Sequence, residues 1–146
     1  MSADGYIIFA DGGARGNPGP AAYGFVLRGA DIAEFAYGKA IGKATNNVAE
    51  YTAAIEALKK LKSLIGAERA AAASVQVNAD SELLVKQMNR EYRVKDPDLQ
   101  RMYMELHNVM MDFRAVAFVH VRREQNKLAD HMVNDALDRE QATLEL

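Results

Sequence analysis

Short apolar runs and apolar residues at helical spacing alternate along this 146-residue chain. Runs with the composition of β-strands come first, at 6–10, 23–29 and 30–41. Two further strands are predicted at 75–79 and 115–121. Turn residues separate the first three runs, whereas longer segments with helical periodicity precede the last two. The pattern therefore predicts five strands in two differently connected groups.

The clearest helix is predicted at 46–65. Its apolar residues recur at steps of three and four and form one stripe: Tyr51, Ile55, Leu58, Leu61 and Ile65. Shorter helices are predicted at 81–89, 98–113 and 126–140. The alanine-rich segment 66–74 is interpreted as a connection, and 90–97 as a charged linker that Pro97 ends.

These connections predict the topology of the sheet. Strands joined by short turns are antiparallel, and strands joined through helices are parallel. The expected fold is α/β, with a five-stranded mixed sheet and helices packed against it. Residues 1–146 are expected to form a single domain, since the chain has an ordinary length for one core.

The stretch "DGGARGNPGPAAYG" at 11–24 is rich in Gly and Pro and is predicted to be a turn or loop after the first strand. Asp11 would then end that strand. It is either an ordinary turn former, or an acid that the loop leaves open to close approach.

Three other acids also stand at predicted element ends, and each has an ordinary structural alternative. Glu50 suits a capping box with Asn47, Asp80 suits a helix N-cap, and Asp130 suits a solvated helix face. Together with Asp11, however, they are expected to converge at the carboxyl ends of parallel strands. Clustered carboxylates favour hard divalent cations, and two such ions can clamp a phosphodiester for attack by water.

Composition narrows the classes of protein. The chain has no Cys, which excludes disulfides and thiolate chemistry. It has neither an 18-residue apolar run nor a secretory signal pattern, so no membrane association and a cytoplasmic location are expected. The net charge of −2 counts mildly against nucleic-acid binding, although local charge matters more.

Four stretches, "DGGARGNPGPAAYG", "TNNVAEYTAAIEAL", "ADSELLVKQM" and "REQNKLAD", resemble the active-site blocks of type 1 ribonuclease H in order and spacing. The resemblance runs from about Tyr6 to Leu137. It is closest to the compact prokaryotic or archaeal form, because only "REYRVKDPD" stands where many members carry a basic protrusion. It implies the ribonuclease H-like fold, with helices on both faces of the sheet.

The resemblance also implies an activity. The chain would be a metal-dependent endonuclease that hydrolyses the RNA strand of RNA/DNA hybrids with two Mg²⁺ or Mn²⁺ ions and leaves 5′-phosphate and 3′-hydroxyl ends. Asp11, Glu50, Asp80 and Asp130 match the catalytic, metal-binding carboxylates. Matches to hybrid-contacting positions are Gly12, Asn17, Thr45, Asn46, Asn47 and Arg123. Further candidates are Lys43, Arg15, Lys95 and His120.

The glycine-rich stretch is then expected to bring backbone close to the shallow minor groove of a hybrid, with Gly12, Gly13 and Gly16 keeping side chains away. One departure concerns His120, which lies in a predicted strand rather than in the mobile loop where many members carry a catalytic histidine. A core or sheet-face histidine is the favoured interpretation.

Two alternatives stay open at this point. One is a module that binds hybrid or double-stranded RNA with weak or no catalysis. The other is a different nuclease on the same fold, such as an exonuclease or a resolvase, although the stretches "GNPG" and "TNN" speak against it. The protein is expected to act as a monomer.

Overall fold

The structure is a computed structural model and describes residues 4–145. Its strands are β1 (Gly5–Ala14), β2 (Gly19–Gly29), β3 (Ile32–Ala44), β4 (Ser74–Ala79) and β5 (Ala115–His120). Its helices are α1 (Asn46–Ile65), α2 (Ala67–Ala72), α3 (Glu82–Met88), α4 (Pro97–Met110) and α5 (Lys127–Leu144). A short 3-10 turn at Arg123–Gln125 precedes α5.

The strands form one sheet in the order β3-β2-β1-β4-β5. The β1–β2 and β2–β3 pairs are antiparallel, whereas β1–β4 and β4–β5 are parallel. This arrangement confirms the predicted mixed sheet. It places β1 at the centre, where an antiparallel and a parallel neighbour meet.

Helices cover both faces of the sheet, as the resemblance implies. Alternate residues of β1 and β2, such as Ile8 and Phe25, point into the main core beneath α1. On the other face, α5 packs across β2 and β3, and Val133 and Leu137 contact Ala22 in a second, smaller core. The sheet therefore lies between α1 and α5.

Helix α1 has the predicted boundaries because both ends carry strong local signals. The Thr45 side chain accepts a hydrogen bond from the backbone N–H of Val48 and caps the start. Gly66 ends the helix with a φ of 89°, a conformation that favours glycine. The alanine-rich segment that was predicted to be a connection forms the separate helix α2.

The glycine-rich stretch corrects a prediction. Residues 11–14 are not loop but the last part of β1, where Gly12 pairs with Tyr23 of β2. The turn itself occupies only residues 15–18. Glycine is tolerated inside this strand because of what packs on it: a Cβ on Gly12 would stand 2.2 Å from the backbone carbon of Ala49 in α1. Gly12 therefore lets α1 approach β1, a reason that the sequence alone did not suggest.

Among residues 4–145, no helix combines the length and apolar character needed to cross a membrane.

We expect Gly12→Ala to destabilise the fold by about 1–3 kcal/mol, because the added methyl meets helix backbone that cannot rotate away. Gly13→Ala is the matched control, since its Cβ would make an ordinary 3.7 Å contact with Val133. Urea denaturation of both variants in EDTA measures the difference. Equal stability of the two variants would contradict this account of β1–α1 packing.

Candidate functional site

The register of the sheet brings Asp11 and Asp80 together. Parallel pairing of β1 with β4 ends at Ala10 and Ala79, so the next residue on each strand is one of the two acids. Strand β4 stops there, while β1 continues beside β2. Asp11 is consequently buried, with 6% of its surface exposed. The expected convergence of these two acids at a strand end is therefore present.

Glu50 reaches the same place from α1, one turn beyond the helix start. The ordinary alternatives for Glu50 and Asp80 are wrong, because other residues cap the two helices. Thr45 caps α1, and Ser81 caps α3 by accepting a hydrogen bond from the backbone N–H of Leu84. The carboxylates of Glu50 and Asp80 are thereby left to face Asp11.

The acids form a compact cluster. One carboxylate oxygen from each of Asp11, Glu50 and Asp80 lies within 4.8 Å of the other two. Asp130, in the first turn of α5, is close enough to Asp11 to raise its pKa and lines the same cavity of about 520 Å³. The solvated-face interpretation of Asp130 is therefore wrong.

Burial and acidic neighbours change the acidity of Asp11 and Glu50. Burial, followed by the charge of Asp80 and contacts with Asp80 and Asp130, raises the pKa of Asp11 from 3.8 to about 8. Burial also raises the pKa of Glu50, with further contributions from the charges of Asp11 and Asp80; a hydrogen bond from the Gly12 backbone N–H opposes this shift. Ionised together, these groups repel unless a cation lies between them.

The cluster fits a hard divalent cation. Its potential ligands are all carboxylate oxygens, which Mg²⁺ and Mn²⁺ prefer. The buried Oε2 atom of Glu50 accepts no hydrogen bond from any residue in 4–145. Since a buried acceptor is costly to leave without a partner, this oxygen is suited to ligate a metal ion.

Asn126 contributes to the site in a way that sequence reasoning missed. Its side-chain N–H donates to the carbonyl of Ala10, 2.9 Å away, and its own carbonyl accepts from the Asp130 N–H at 3.0 Å. It is 1% exposed. Asn126 thus ties β1, just before Asp11, to the first turn of α5. In the sequence, an Asn before a helix indicates an ordinary N-cap, yet this side chain makes no capping hydrogen bond.

Several of the predicted hybrid-contacting residues surround the acids. The cavity is lined by Gly12, Arg15, Asn46, Asn47 and Arg123, among others. The guanidinium of Arg123 lies 3.8 Å from the Asp80 carboxylate and is largely exposed. Arg15 forms an ion pair with Asp138 at 2.7 Å.

Asn17 and Asn46 join the β1–β2 turn to α1. The Oδ1 atom of Asn17 accepts from the backbone N–H of Asn46 at 3.0 Å. The Oδ1 atom of Asn46 accepts from the backbone N–H of Ala14 at 2.8 Å. The turn is therefore held against the helix that carries Glu50.

The other candidates lie elsewhere. Lys43 lines a mostly apolar cavity between the β2–β3 hairpin and α5, and Lys95 is exposed in the α3–α4 linker. His120 lies in a strand as predicted, at the end of β5 beside Ala79, but it is exposed and is therefore not a core histidine. It lies at the end of an edge strand, which leaves its side chain in solvent.

The chain is similar in sequence and in structure to known proteins. Residues 9–136 match the reverse transcriptase-like family. A solved structure of LC11-RNase H1 in complex with RNA/DNA hybrid is 40% identical, covers 93% of this chain and 99% of its own, and superposes with a TM-score of 0.86. The chain belongs to the type 1 ribonuclease H family.

Other relatives agree with this assignment. RNase H1 from Halobacterium salinarum superposes with a TM-score of 0.83 at 36% identity, covering 92% of this chain and 98% of its own. The bifunctional protein Rv2228c of Mycobacterium tuberculosis is 45% identical over 136 residues, which are 90% of this chain but 35% of that protein. The chain thus spans about a third of the length of these mycobacterial relatives.

The crowded acids should make the metal-free ribonuclease H domain less stable as pH rises. Folded Asp11 keeps its proton up to about pH 8, whereas its ordinary pKa is 3.8. Between these values the folded state binds more protons, so the free energy of unfolding in EDTA should fall as pH increases towards 8. Asp11→Asn should weaken this pH dependence and stabilise the metal-free protein at pH 8 by an amount on the order of 1 kcal/mol.

Thermal unfolding at several pH values in EDTA measures both effects, with Glu91→Gln, an exposed linker acid, as the control. Added Mg²⁺ should stabilise the wild type more than Asp11→Asn, since it binds the folded state. A lower Tm for Asp11→Asn in EDTA, together with an unchanged pH profile, would show that the acids do not crowd one another.

Proposed function

We propose that this chain is an endonuclease that hydrolyses the RNA strand of RNA/DNA hybrids with Mg²⁺ or Mn²⁺. The observation that carries the proposal is the approach of the Asp11, Glu50 and Asp80 carboxylates to within 4.8 Å of one another. Membership of the type 1 ribonuclease H family and the likeness to a structure described as a complex with RNA/DNA hybrid support this choice of substrate.

The four carboxylates would hold two metal ions. Asp11 is central to the cluster and would face both, while Glu50, Asp80 and Asp130 surround it. When bound, such ions would activate a water and stabilise the negative charge that develops on the phosphate. Burial of Asp11 and of the Oε2 atom of Glu50 would limit the access of other waters to these oxygens, and Asn126 holds the start of α5 to β1 beside them.

Hydrolysis would form one bond to phosphorus and break another. A water oxygen adds to the phosphorus, the bond to the 3′ oxygen breaks, and that oxygen gains a proton. The products are a 5′-phosphate and a 3′-hydroxyl. The chain contributes positioning to this reaction, because its acids fix the scissile phosphate relative to the attacking water.

The surface around the acids suits the minor groove of a hybrid, which is wide, shallow and lined with 2′-hydroxyls. Gly12, Asn46 and Asn47 line the cavity and place backbone and amide groups beside the carboxylates. The Asn17–Asn46 hydrogen bond holds the adjoining turn in place. Thr45, just before α1, matches the position at which type 1 ribonuclease H enzymes hold a phosphate of the DNA strand, and Lys43, two residues earlier, would assist it.

A module that only binds nucleic acid is a weaker account of the same site. Binding alone would favour positive charge near the phosphates, not a cluster in which burial and neighbouring acids raise the pKa values of Asp11 and Glu50. The cost of assembling these acids is explained if they hold ions that act in catalysis. We further propose that the domain works as a monomer.

We expect the wild type to cut the RNA strand of a labelled RNA/DNA duplex in Mg²⁺ and to leave a DNA duplex of the same sequence intact. Asp11→Asn should lower turnover by about a thousandfold or more, which corresponds to at least ~4 kcal/mol of activation free energy. Hybrid binding, measured by fluorescence anisotropy, should be retained. Glu91→Gln serves as the control for loss of an acid outside the cluster.

Near wild-type turnover by Asp11→Asn would refute the metal-site assignment, and cutting of plain DNA duplex at a comparable rate would refute the assigned substrate. Double-stranded RNA, tested in parallel, shows whether the strand opposite the cut must be DNA.

His120→Ala should lower turnover by less than about tenfold, a smaller effect than typical general acid–base catalysis provides. Its side chain is exposed at the end of β5, outside the cavity that holds the acids. Steady-state cleavage of hybrid measures the effect. A loss of several hundredfold in a folded variant would show that His120 takes part in catalysis.

A further inference from the structure

Two glycines form a row with Asp11 across the antiparallel half of the sheet. Asp11 of β1 pairs with Gly24 of β2, and Gly24 pairs in turn with Gly38 of β3. Residues paired across antiparallel strands share one face of a sheet. The row therefore leads from the acid cluster across β2 to β3, on the face that α5 covers.

Helix α5 lies directly on the backbone of these two glycines. A Cβ on Gly24 would stand 2.6 Å from the carbonyl oxygen of Ala129, and a Cβ on Gly38 would stand 2.3 Å from that of Met132. Both distances are far below an ordinary van der Waals contact. The helical turn from Ala129 to Met132 can therefore lie this close to the sheet only because both strands carry glycine. That turn contains Asp130.

Backbone conformation does not require glycine at either position. Within residues 4–145, the glycines with positive φ are Gly16, Gly42 and Gly66. Gly24 and Gly38 lie inside paired strands, where alanine would adopt the same backbone conformation. Space beneath α5 is thus the physical reason for glycine at both sites.

The geometry points to Gly24 and Gly38 as positioning residues that set the height of α5 on the sheet and thereby the placement of Asp130 beside Asp11. This inference rests on the proposed function, in which Asp130 helps to hold a catalytic metal ion. An added methyl would push the helical turn away from the sheet by about 1 Å, the shortfall from normal van der Waals contact.

The displacement would act mainly on Asp130. Asp11, Glu50 and Asp80 belong to β1, α1 and the end of β4, so three of the four acids do not depend on the seating of α5. Asn126 anchors the start of α5 to Ala10, which would keep the helix attached while its next turn tilts outward. Loss of Asp130 from the cluster should therefore occur without loss of the fold.

The test compares Gly24→Ala and Gly38→Ala with the wild type. We expect each to lower kcat on hybrid by about 10- to 100-fold, as a misplacement of about 1 Å can. The Mg²⁺ concentration for half-maximal activity should rise. Calorimetric titration with Mn²⁺ and no substrate should show weaker binding, a readout that is independent of turnover.

Two double variants distinguish positioning from general damage. In an Asp130→Asn background, either alanine substitution should lower kcat by less than about twofold further, because both act through the same acid. In the Gly38→Ala background, Asp130→Glu should recover activity, since its extra methylene spans the added distance. In the wild-type background, Asp130→Glu should lower activity.

Leu106→Ala is the matched control for lost stability, because Leu106 is fully buried in α4, away from α5. It should lower Tm without changing the Mg²⁺ requirement. The inference is overturned if the glycine variants behave like Leu106→Ala, if their effects add fully to Asp130→Asn, or if neither glycine variant folds. Failure of the proposed function itself would differ, since the wild type would then neither cut hybrid nor bind Mn²⁺.

Discussion

The placement of three further carboxylates around the buried Asp11 is the constraint that shapes this site. Asp11 is almost fully buried, and both burial and its acidic neighbours hold its pKa near 8. Without a bound cation, the cluster does not stabilise the fold, because folding must overcome the repulsion between the carboxylates. A cation between the oxygens attracts each carboxylate and offsets that repulsion. In the proposed metal site, the arrangement that is expected to weaken the metal-free fold would therefore also favour binding of the ion.

On both faces of the sheet, a helix packs closely on strand backbone at positions occupied by glycine. Each large helix brings one acid to Asp11, and each needs a close approach to strand backbone to do so. Gly12 provides it for α1 and Glu50, while Gly24 and Gly38 provide it for α5. Register supplies the remaining acid, since β4 ends one residue before Asp80. The geometry of the site therefore follows from the register of the sheet and from the positions of these glycines.

The sequence predicts the parts of this architecture that depend on local signals. Helix α1 has the predicted bounds because its apolar stripe, Thr45 and Gly66 all agree. The order of strands and helices likewise predicts the mixed sheet and the convergence of the four acids. The loop predicted at 11–24 is reduced to a turn at 15–18, because glycine was interpreted as a breaker of structure, whereas Gly12 lies in a strand and makes room for a helix. Asn126 was missed for a similar reason: its partner, Ala10, is 116 residues away in the sequence. The roles of Gly12 and Asn126 both depend on contacts between segments that are distant in the sequence, and the periodicity of apolar residues does not predict such contacts.

Anomalous diffraction from crystals soaked in Mn²⁺ shows whether these acids bind a metal ion. We expect manganese density bounded by the carboxylates of Asp11, Glu50 and Asp80, and its loss in crystals of Asp11→Asn. The crystals should be soaked under the solution conditions in which the same protein preparation cleaves hybrid. A cavity without manganese under those conditions, or density that persists unchanged in Asp11→Asn, would contradict the metal-site assignment.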